Sequence, residues 1–446
     1  MKTILIKNGK VLRLNDQEVT FQEADVLVKN DKIVQIGKHL APPVVDLEID
    51  ASGMLAMPGL VDTHRHLWET ALKGVASNWT LMQYLNGVLG GIAPDYQPED
   101  VYTGNLLGAL EAINAGITTI FDWSHIMNSN AHAKAAIDAL KESGIRARFG
   151  YGTPGTSVWE WFYESRLKHP LDAKTVRKNY LSSDDGLVTM ALAIRGPEYS
   201  INEVTDHDIR LGRELNIPIS MHIGGGTFGP KYHGVRLLAE KGLLGPDLNF
   251  AHANTISEDE FELLAAHQCS ISVAPEVELQ MGLGLPVTGK ALKYGIACGL
   301  GVDVVSATSG SLFDQMKVAL QAERAIQNER LYQSGSMPEK LTIHDSDILK
   351  VATIGGAKTL GLDRTTGSLE VGKQADLILI DIKNISLSPS INPVSSVVLY
   401  ANENHVDTVM IAGKILKRQG KLLDANLENL IERAHRSMER ILKERR

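Results

Sequence analysis

Pro58-Gly59-Leu60-Val61-Asp62-Thr63-His64-Arg65-His66 decides how the rest of the chain is read. Pro58-Gly59 is a turn signal, and Leu60-Val61 opens an apolar run that reads as a short strand. Residues two apart on a strand point to one face, so His64 and His66 project together with Arg65 turned away. They stand about 6–7 Å apart along the strand by its rise per residue. Two imidazoles so arranged can grip one metal ion. They serve equally well as structural hydrogen-bonding groups at a strand end. The spacing alone is only moderately specific, and the rest of the chain must decide.

Downstream, short apolar runs alternate with amphipathic helical stretches. The runs span residues 60–64, 118–123, 147–152, 187–194, 218–223, 248–253, 270–274 and 296–302. Helical patterns fill 102–115, 131–143, 206–215, 233–241 and 257–267, the last opened by a capping box, Ser257-x-x-Glu260. Eight such units predict a (β/α)8 TIM barrel, an α/β fold. No Gly-x-Gly-x-x-Gly follows the first strand and no Gly-Lys-Ser/Thr occurs, which disfavours a nucleotide-binding open sheet. Barrel chemistry sits at the C-terminal ends of the strands. His64 and His66 end strand one, His222 strand five, His252 strand six and Asp303 strand eight. The nine histidines at 39, 132, 169, 207, 233, 267, 344, 405 and 435 fall in helices, loops or the terminal strands, where surface or capping roles are ordinary.

Before residue 58 the pattern is one of short strands, at 4–7, 11–14, 26–29, 32–37 and 45–50, with Asn8-Gly9 and Asn30-Asp31 as turn pairs. Strand character returns at 375–381, 406–412 and 414–417. This predicts a small β-sandwich domain, antiparallel in its first part, built from 1–57 and 366–425. The barrel (58–365) is inserted between its halves, and a C-terminal helix (426–446) closes the chain.

With 446 residues there is room for both domains, and 43% hydrophobic with 22% charged residues is ordinary globular composition. The net charge of −8 carries no basic stripe, which argues against a nucleic-acid partner. Basic residues gather only at Arg433, Arg436, Arg440, Lys443, Arg445 and Arg446, as one exposed face of the last helix. A membrane-surface role for that face is the minor reading, and no membrane partner is expected. Cys269 and Cys298 lie in apolar runs and read as buried free thiols. The first apolar run is too short for a signal peptide, so the expectation is a cytoplasmic protein with a small-molecule substrate, assembling as a homo-oligomer.

These motifs resemble the amidohydrolase superfamily, in its cytosine-deaminase-like and triazine-hydrolase-like branch. The segment 58–66 is similar to the family's first-strand signature. Gly367-Ser368-Leu369-Glu370-Val371-Gly372-Lys373-Gln374-Ala375-Asp376-Leu377 is similar to its C-terminal β-domain signature, and Val409-x-x-Ala412-Gly413-Lys414 to its last hairpin. The resemblance covers nearly the whole chain. It implies that His64, His66, His222 and Asp303 ligate one divalent metal, Zn2+ first and Fe2+ second. It also implies that His252 contacts the hydrolytic water or the substrate and that Asp303 takes the water's proton. Three imidazoles and a carboxylate suit either metal and leave a position for water. Binuclear members carry a lysine on strand four; none occurs between Lys178 and Lys231, so a single metal is expected.

The chain departs from the pattern at Gly225, where many deaminases of the branch carry a proton-shuttling glutamate. Glu69, three residues after His66, and Glu276, after strand seven, are the candidate replacements. Trp68, His125, Arg195, Glu69 and His252 are the candidate substrate contacts, and the segment from 67 to about 100 is a candidate lid. The leading expectation is metal-dependent hydrolysis of a non-peptide C–N bond, with deamination of a heterocyclic amidine (purine, pyrimidine, pterin or triazine ring). The alternatives are amide or cyclic-amide hydrolysis, displacement of an alkylamine or halide from a triazine-like ring, and, remotely, a non-catalytic barrel.

Overall fold

The computed structural model describes residues 2–14, 19–170, 172–423 and 425–443. The chain begins with strands β1 (Thr3–Leu14), β2 (Val19–Lys29), β3 (Lys32–Gly37), β4 (Leu47–Asp50) and β5 (Met54–Pro58). It continues with β6 (Leu60–Arg65), β7 (Ile117–Ser124), β8 (Arg146–Tyr151), β9 (Val188–Ile194), β10 (Ile219–Ile223), β11 (Leu248–His252), β12 (Ser270–Val273) and β13 (Ala297–Leu300). It ends with β14 (Leu377–Asp381), β15 (Val406–Ile411), β16 (Lys414–Arg418) and β17 (Lys421–Leu422).

Strands β6 to β13 close into a barrel in sequence order, as the alternating pattern predicts. Every residue of β6, β7, β8 and β9 is buried. A parallel strand is covered on both faces, which is why Val188–Ile194 reads as a nearly continuous apolar run rather than as alternation. The Ser257 capping box forms, with the Ser257 N–H donating to Glu260 Oε2 at 3.0 Å.

The strands from the two chain ends form one sheet, ordered β17-β16-β15-β14-β5-β1-β2-β3, with β4 also paired to β1. Its core includes Ile4, Ile6, Val26, Val28, Leu377 and Leu379, the alternate positions of their strands. Two expectations change here. The sheet is mixed, because β1 pairs in parallel with β4 and β5. And Asn8-Gly9 is not a hairpin turn. The runs on either side of it pair with the same partner, β2, with a register slip between Ile6 and Gly9. Asn8 adopts φ 62° and its N–H donates to Asp25 Oδ1, so the pair makes a bulge in one long strand. Asn30-Asp31 does turn the chain between β2 and β3, with Asn30 at φ 53°.

By internal packing the chain falls into two compact units. One comprises Met1–Asp62, Leu110–Thr119 and Ser311–Ala425; the other comprises Thr63–Ala109, Ile120–Gly310 and Asn426–Arg446. The C-terminal helix Leu427–Lys443 belongs to the second unit; Arg436 and Lys443 are exposed on it as expected, whereas Arg433 and Arg440 are partly covered. Arg440 pairs with the buried Asp100, Arg433 lies 3.6 Å from Glu99, and Arg436 bonds Glu432 at 3.0 Å. Arg445 and Arg446 lie outside the described residues. Cys269 and Cys298 are free and buried, and burial pushes their thiols up to about 11 and about 12. Among the described residues no helix is long and apolar enough to cross a membrane.

Candidate active site

The C-terminal ends of β6, β10, β11 and β13 bring His64, His66, His222, His252 and Asp303 together. Asp303 Oδ1 lies 3.3 Å from His64 Nε2 and 3.1 Å from His66 Nε2, and its Oδ2 lies 3.6 Å from His252 Nε2. The His222 ring packs 4.9 Å from His64 and 5.5 Å from His252, centroid to centroid. Ligand atoms of His64, His222 and His252, and of His64, His66 and Asp303, form two groups, each within 4.8 Å of one another. Tetrahedral donors about 2.1 Å from an ion stand about 3.4 Å apart, so the spacing around Asp303 is that of a coordination shell.

Local backbone builds this convergence. His252 and Asp303 both adopt left-handed conformations, φ 78° and 64°, which turn their side chains off the strand ends. Such strain in non-glycine residues persists only where the surroundings enforce it. The Asp303 N–H donates to the His64 carbonyl and the His66 N–H to the Asp303 carbonyl, which stitch the two strand ends together. Gly301 makes that approach possible: a Cβ there would sit 2.6 Å from the His64 carbonyl oxygen.

Hydrogen bonds fix which ring nitrogen His66 and His252 present. His66 Nδ1 lies 2.6 Å from the Trp123 carbonyl, which can only accept, so Nε2 faces Asp303. His252 Nδ1 lies 3.3 Å from the buried Glu278 carboxylate, and its Nε2 faces Asp303 likewise. Such outer partners orient metal-site imidazoles and raise their basicity. Burial holds His222 and His125 well below the ordinary histidine range and His64 at about 4, leaving lone pairs on neutral rings. Burial also works against charge on Asp303, but the His64 and His66 imidazoles overcome it and hold the carboxyl well below the usual range. For His66 and His252 the bonds to Asp303 and Glu278 outweigh burial and raise the imidazoles. A proton there is what a bound cation displaces. Buried neutral imidazoles around an ionised carboxylate fit a divalent metal ion.

Beside the cluster opens a pocket lined by His66, His125, His222, His252 and Asp303 on one side. Leu81, Tyr84, Leu85 and Leu89, from the segment after β6, line it together with Phe162, Tyr199, Val277, Met281, Leu283 and Val304.

The other expected residues are distributed differently. His125 reaches the cavity and stacks on His66, with centroids 4.0 Å apart and planes 5° apart. Trp68 is wholly buried behind it, its indole N–H donating to His125 Nδ1 at 3.0 Å. Glu69 is buried with Oε1 accepting from Tyr84 and Oε2 from Ser306, and burial pushes its carboxyl up to about 7. It stands behind the lining rather than in it. Glu276 is half-buried and also outside the lining. Pro275 starts a helix, Pro275–Met281, so the residue swung inward is Glu278, two positions on. Arg195 is not open to a substrate: its guanidinium bonds Asp208 at 2.9 Å, Ser165 at 2.6 Å and the Leu167 carbonyl, with Trp161 over its face.

Sequence reasoning missed Tyr84, Glu278 and Ser306. Pro275, a residue type favoured at the first helical position, was the available signal for Glu278. Tyr84 ends a single helical turn, Leu81–Tyr84, and Ser306 lies in a turn after β13, and stretches this short carry no periodicity that marks a direction.

The model of the amidohydrolase family matches residues 55–416. The chain belongs to the amidohydrolase family. It is a hydrolase of that family, acting on carbon–nitrogen bonds. It is 30% identical over 451 residues to a 5′-deoxyadenosine deaminase of Methanobrevibacter smithii, covering 98% of each chain. It is 29% identical over 440 residues to a 5-methylthioadenosine/S-adenosylhomocysteine deaminase of Pyrococcus furiosus, covering 96% of this chain and 99% of the relative. Among solved structures, an adenosine deaminase from Xanthomonas campestris with bound zinc shares the fold at TM-score 0.85 and 24% identity, covering 99% of this chain and 98% of that one. An atrazine chlorohydrolase from Arthrobacter aurescens TC1 complexed with zinc shares it at TM-score 0.86 and 24% identity, covering 98% and 100%.

Proposed function

We infer that the amidohydrolase described here is a zinc-dependent deaminase of a heterocyclic amidine, with His64, His66, His222 and Asp303 as the metal ligands. The observation that carries this is the convergence of His64, His66 and His252 on the Asp303 carboxylate, with His222 packed against His64 and His252, beside a largely apolar pocket. The deaminase relatives support the reaction class, and the zinc-bound neighbours support the metal.

Zinc bound there would acidify a water molecule and polarise the carbon under attack. The chain's own residues then have distinct tasks. Asp303 accepts the proton from the attacking water, its carboxylate being ionised and poised between His66 and His252. His252, held by Glu278, presents Nε2 to the same space and hydrogen-bonds the oxygen that enters. The apolar walls exclude bulk water. Glu69 and Glu276 stand outside the lining, so the proton that leaves with ammonia passes through Asp303 itself.

A second reading keeps the site and changes the leaving group. Gly225 stands where an acid would protonate the leaving amino group, and the side chain nearest it is the apolar Leu283. A halide leaving a triazine-like ring needs no such proton. Ammonia and halide release, measured with zinc-loaded protein across aminopurines, aminopyrimidines, pterins and chloro- and amino-triazines, tests both. Ammonia release supports the first reading. Halide release alone favours the second, and no turnover of any ring contradicts both.

A further inference from the structure

The chemistry above leaves a row of buried polar side chains without a task. The Trp68 indole donates to His125 Nδ1 at 3.0 Å, so in the neutral ring Nε2 carries the proton. That Nε2 lies 3.4 Å from Tyr84 Oη, long enough for the contact to be weak and readily exchanged for a ligand. The Tyr84 hydroxyl donates in turn to Glu69 Oε1 at 2.5 Å, and the Ser306 hydroxyl donates to Glu69 Oε2 at 2.7 Å. Trp68, Glu69 and Ser306 are completely buried, whereas His125 and Tyr84 line the cavity.

The result is a built pair of opposite polarity on an otherwise apolar wall. His125 offers a donor, because its other nitrogen is occupied by Trp68. Tyr84 offers an acceptor lone pair, because its proton is committed to Glu69. His125 lies flat against His66, so the pair is also fixed relative to Asp303.

We propose that His125 and Tyr84 read the amidine edge of the substrate, His125 Nε2–H donating to a ring nitrogen and Tyr84 Oη accepting from the adjacent N–H. Trp68, Glu69 and Ser306 are positioning residues that set the direction of each bond. The proposal deepens the functional reading above and rests on it for the orientation of the reacting carbon. A donor beside an acceptor matches N=C–NH2 and rejects a ring that lacks the nitrogen, because the His125 proton is then left unpaired. It also gives this chain a use for a glutamate that stands outside the cavity.

The test is a binding comparison needing no turnover. 2-Aminopyrimidine carries the amidine edge and is neutral at pH 7; pyrimidine keeps the ring nitrogens for His125 but has no N–H for Tyr84. Zinc-loaded protein is titrated with each and followed by NMR. The wild type should bind 2-aminopyrimidine about tenfold more tightly than pyrimidine, the worth of one paired polar group. Tyr84→Phe should bring the two affinities within about twofold. Glu69→Gln keeps an acceptor for the Tyr84 hydroxyl and should keep the preference. Glu69→Met removes the acceptor and should lose it, which decides the matter even if Tyr84→Phe does not fold. Equal affinities in the wild type, an undiminished preference in Tyr84→Phe, or identical behaviour of the two Glu69 variants overturns the proposal. Zinc-dependent ammonia release is a separate readout: its failure with the preference intact overturns the deaminase reading and leaves the recognition pair standing.

Discussion

His252 Nδ1 lies 3.3 Å from Glu278 Oε1, and this one contact decides which nitrogen His252 shows to Asp303. Glu278 is anchored as well, its Oε1 accepting from the Ala274 N–H at 2.8 Å. Glu278→Gln should therefore keep the metal, since His252 is not assigned as a ligand, yet lower kcat by about ten- to a hundredfold, the usual effect of altering such an outer partner. Metal analysis and steady-state kinetics on one preparation check this. Loss of metal with loss of activity would make His252 a ligand instead.

Gly301 lets β13 approach β6 at the cluster. Gly301→Ala would drive a Cβ to 2.6 Å from the His64 carbonyl oxygen and 2.8 Å from the His64 Cβ. Neither neighbour is a flexible side-chain tip, so the strand ends must move. The expected cost is about 1–3 kcal/mol of stability, as for other overpacked cores, with weakened metal retention. Thermal unfolding and zinc content measured together test it; a variant with wild-type values of both would show that the approach is not required.

Arg195 is a structural cation in this fold. Its guanidinium is wholly buried against Asp208, which also accepts from the His169 N–H at 2.8 Å. Arg195→Ala strands the Asp208 carboxylate and should destabilise by about 3–5 kcal/mol, the range for breaking a buried pair. Denaturant unfolding is the check. A stable variant with only a raised KM would return Arg195 to the substrate.

Glu198 gives the stability a pH dependence. Burial pushes its carboxyl up to about 8 from an ordinary 4.5, although both oxygens accept from the Gly224 N–H. The folded state thus holds a proton that the unfolded state releases. Stability from this group is complete below 4.5 and falls as pH rises to about 8. Glu198→Gln should flatten the decline in melting temperature between pH 5 and 8. Parallel profiles for the two proteins would contradict this.

The barrel was legible because burial on both strand faces leaves an unbroken apolar run, visible in Val188–Ile194 without coordinates. The cluster at its mouth was legible because strand ends are fixed points: a histidine at the end of β11 has few places to go. Asn8-Gly9 misled because a bulge and a hairpin use the same left-handed residue, and only the pairing partner tells them apart. Glu276 and Glu278 were separable only by knowing that the strand ends at Val273, which shifts the direction of every side chain after it. Arg195 looked available because its partner, Asp208, lies 13 residues on in a helix whose packing the sequence does not specify.

The proposed chemistry depends on one divalent ion held by His64, His66, His222 and Asp303. Diffraction from crystals of the zinc-loaded protein, collected on both sides of the zinc absorption edge, locates that ion. One anomalous peak per chain is expected, about 2.0–2.2 Å from a nitrogen of each of the three histidines and an oxygen of Asp303. A peak elsewhere, two peaks, or none with stoichiometric zinc in solution would contradict it.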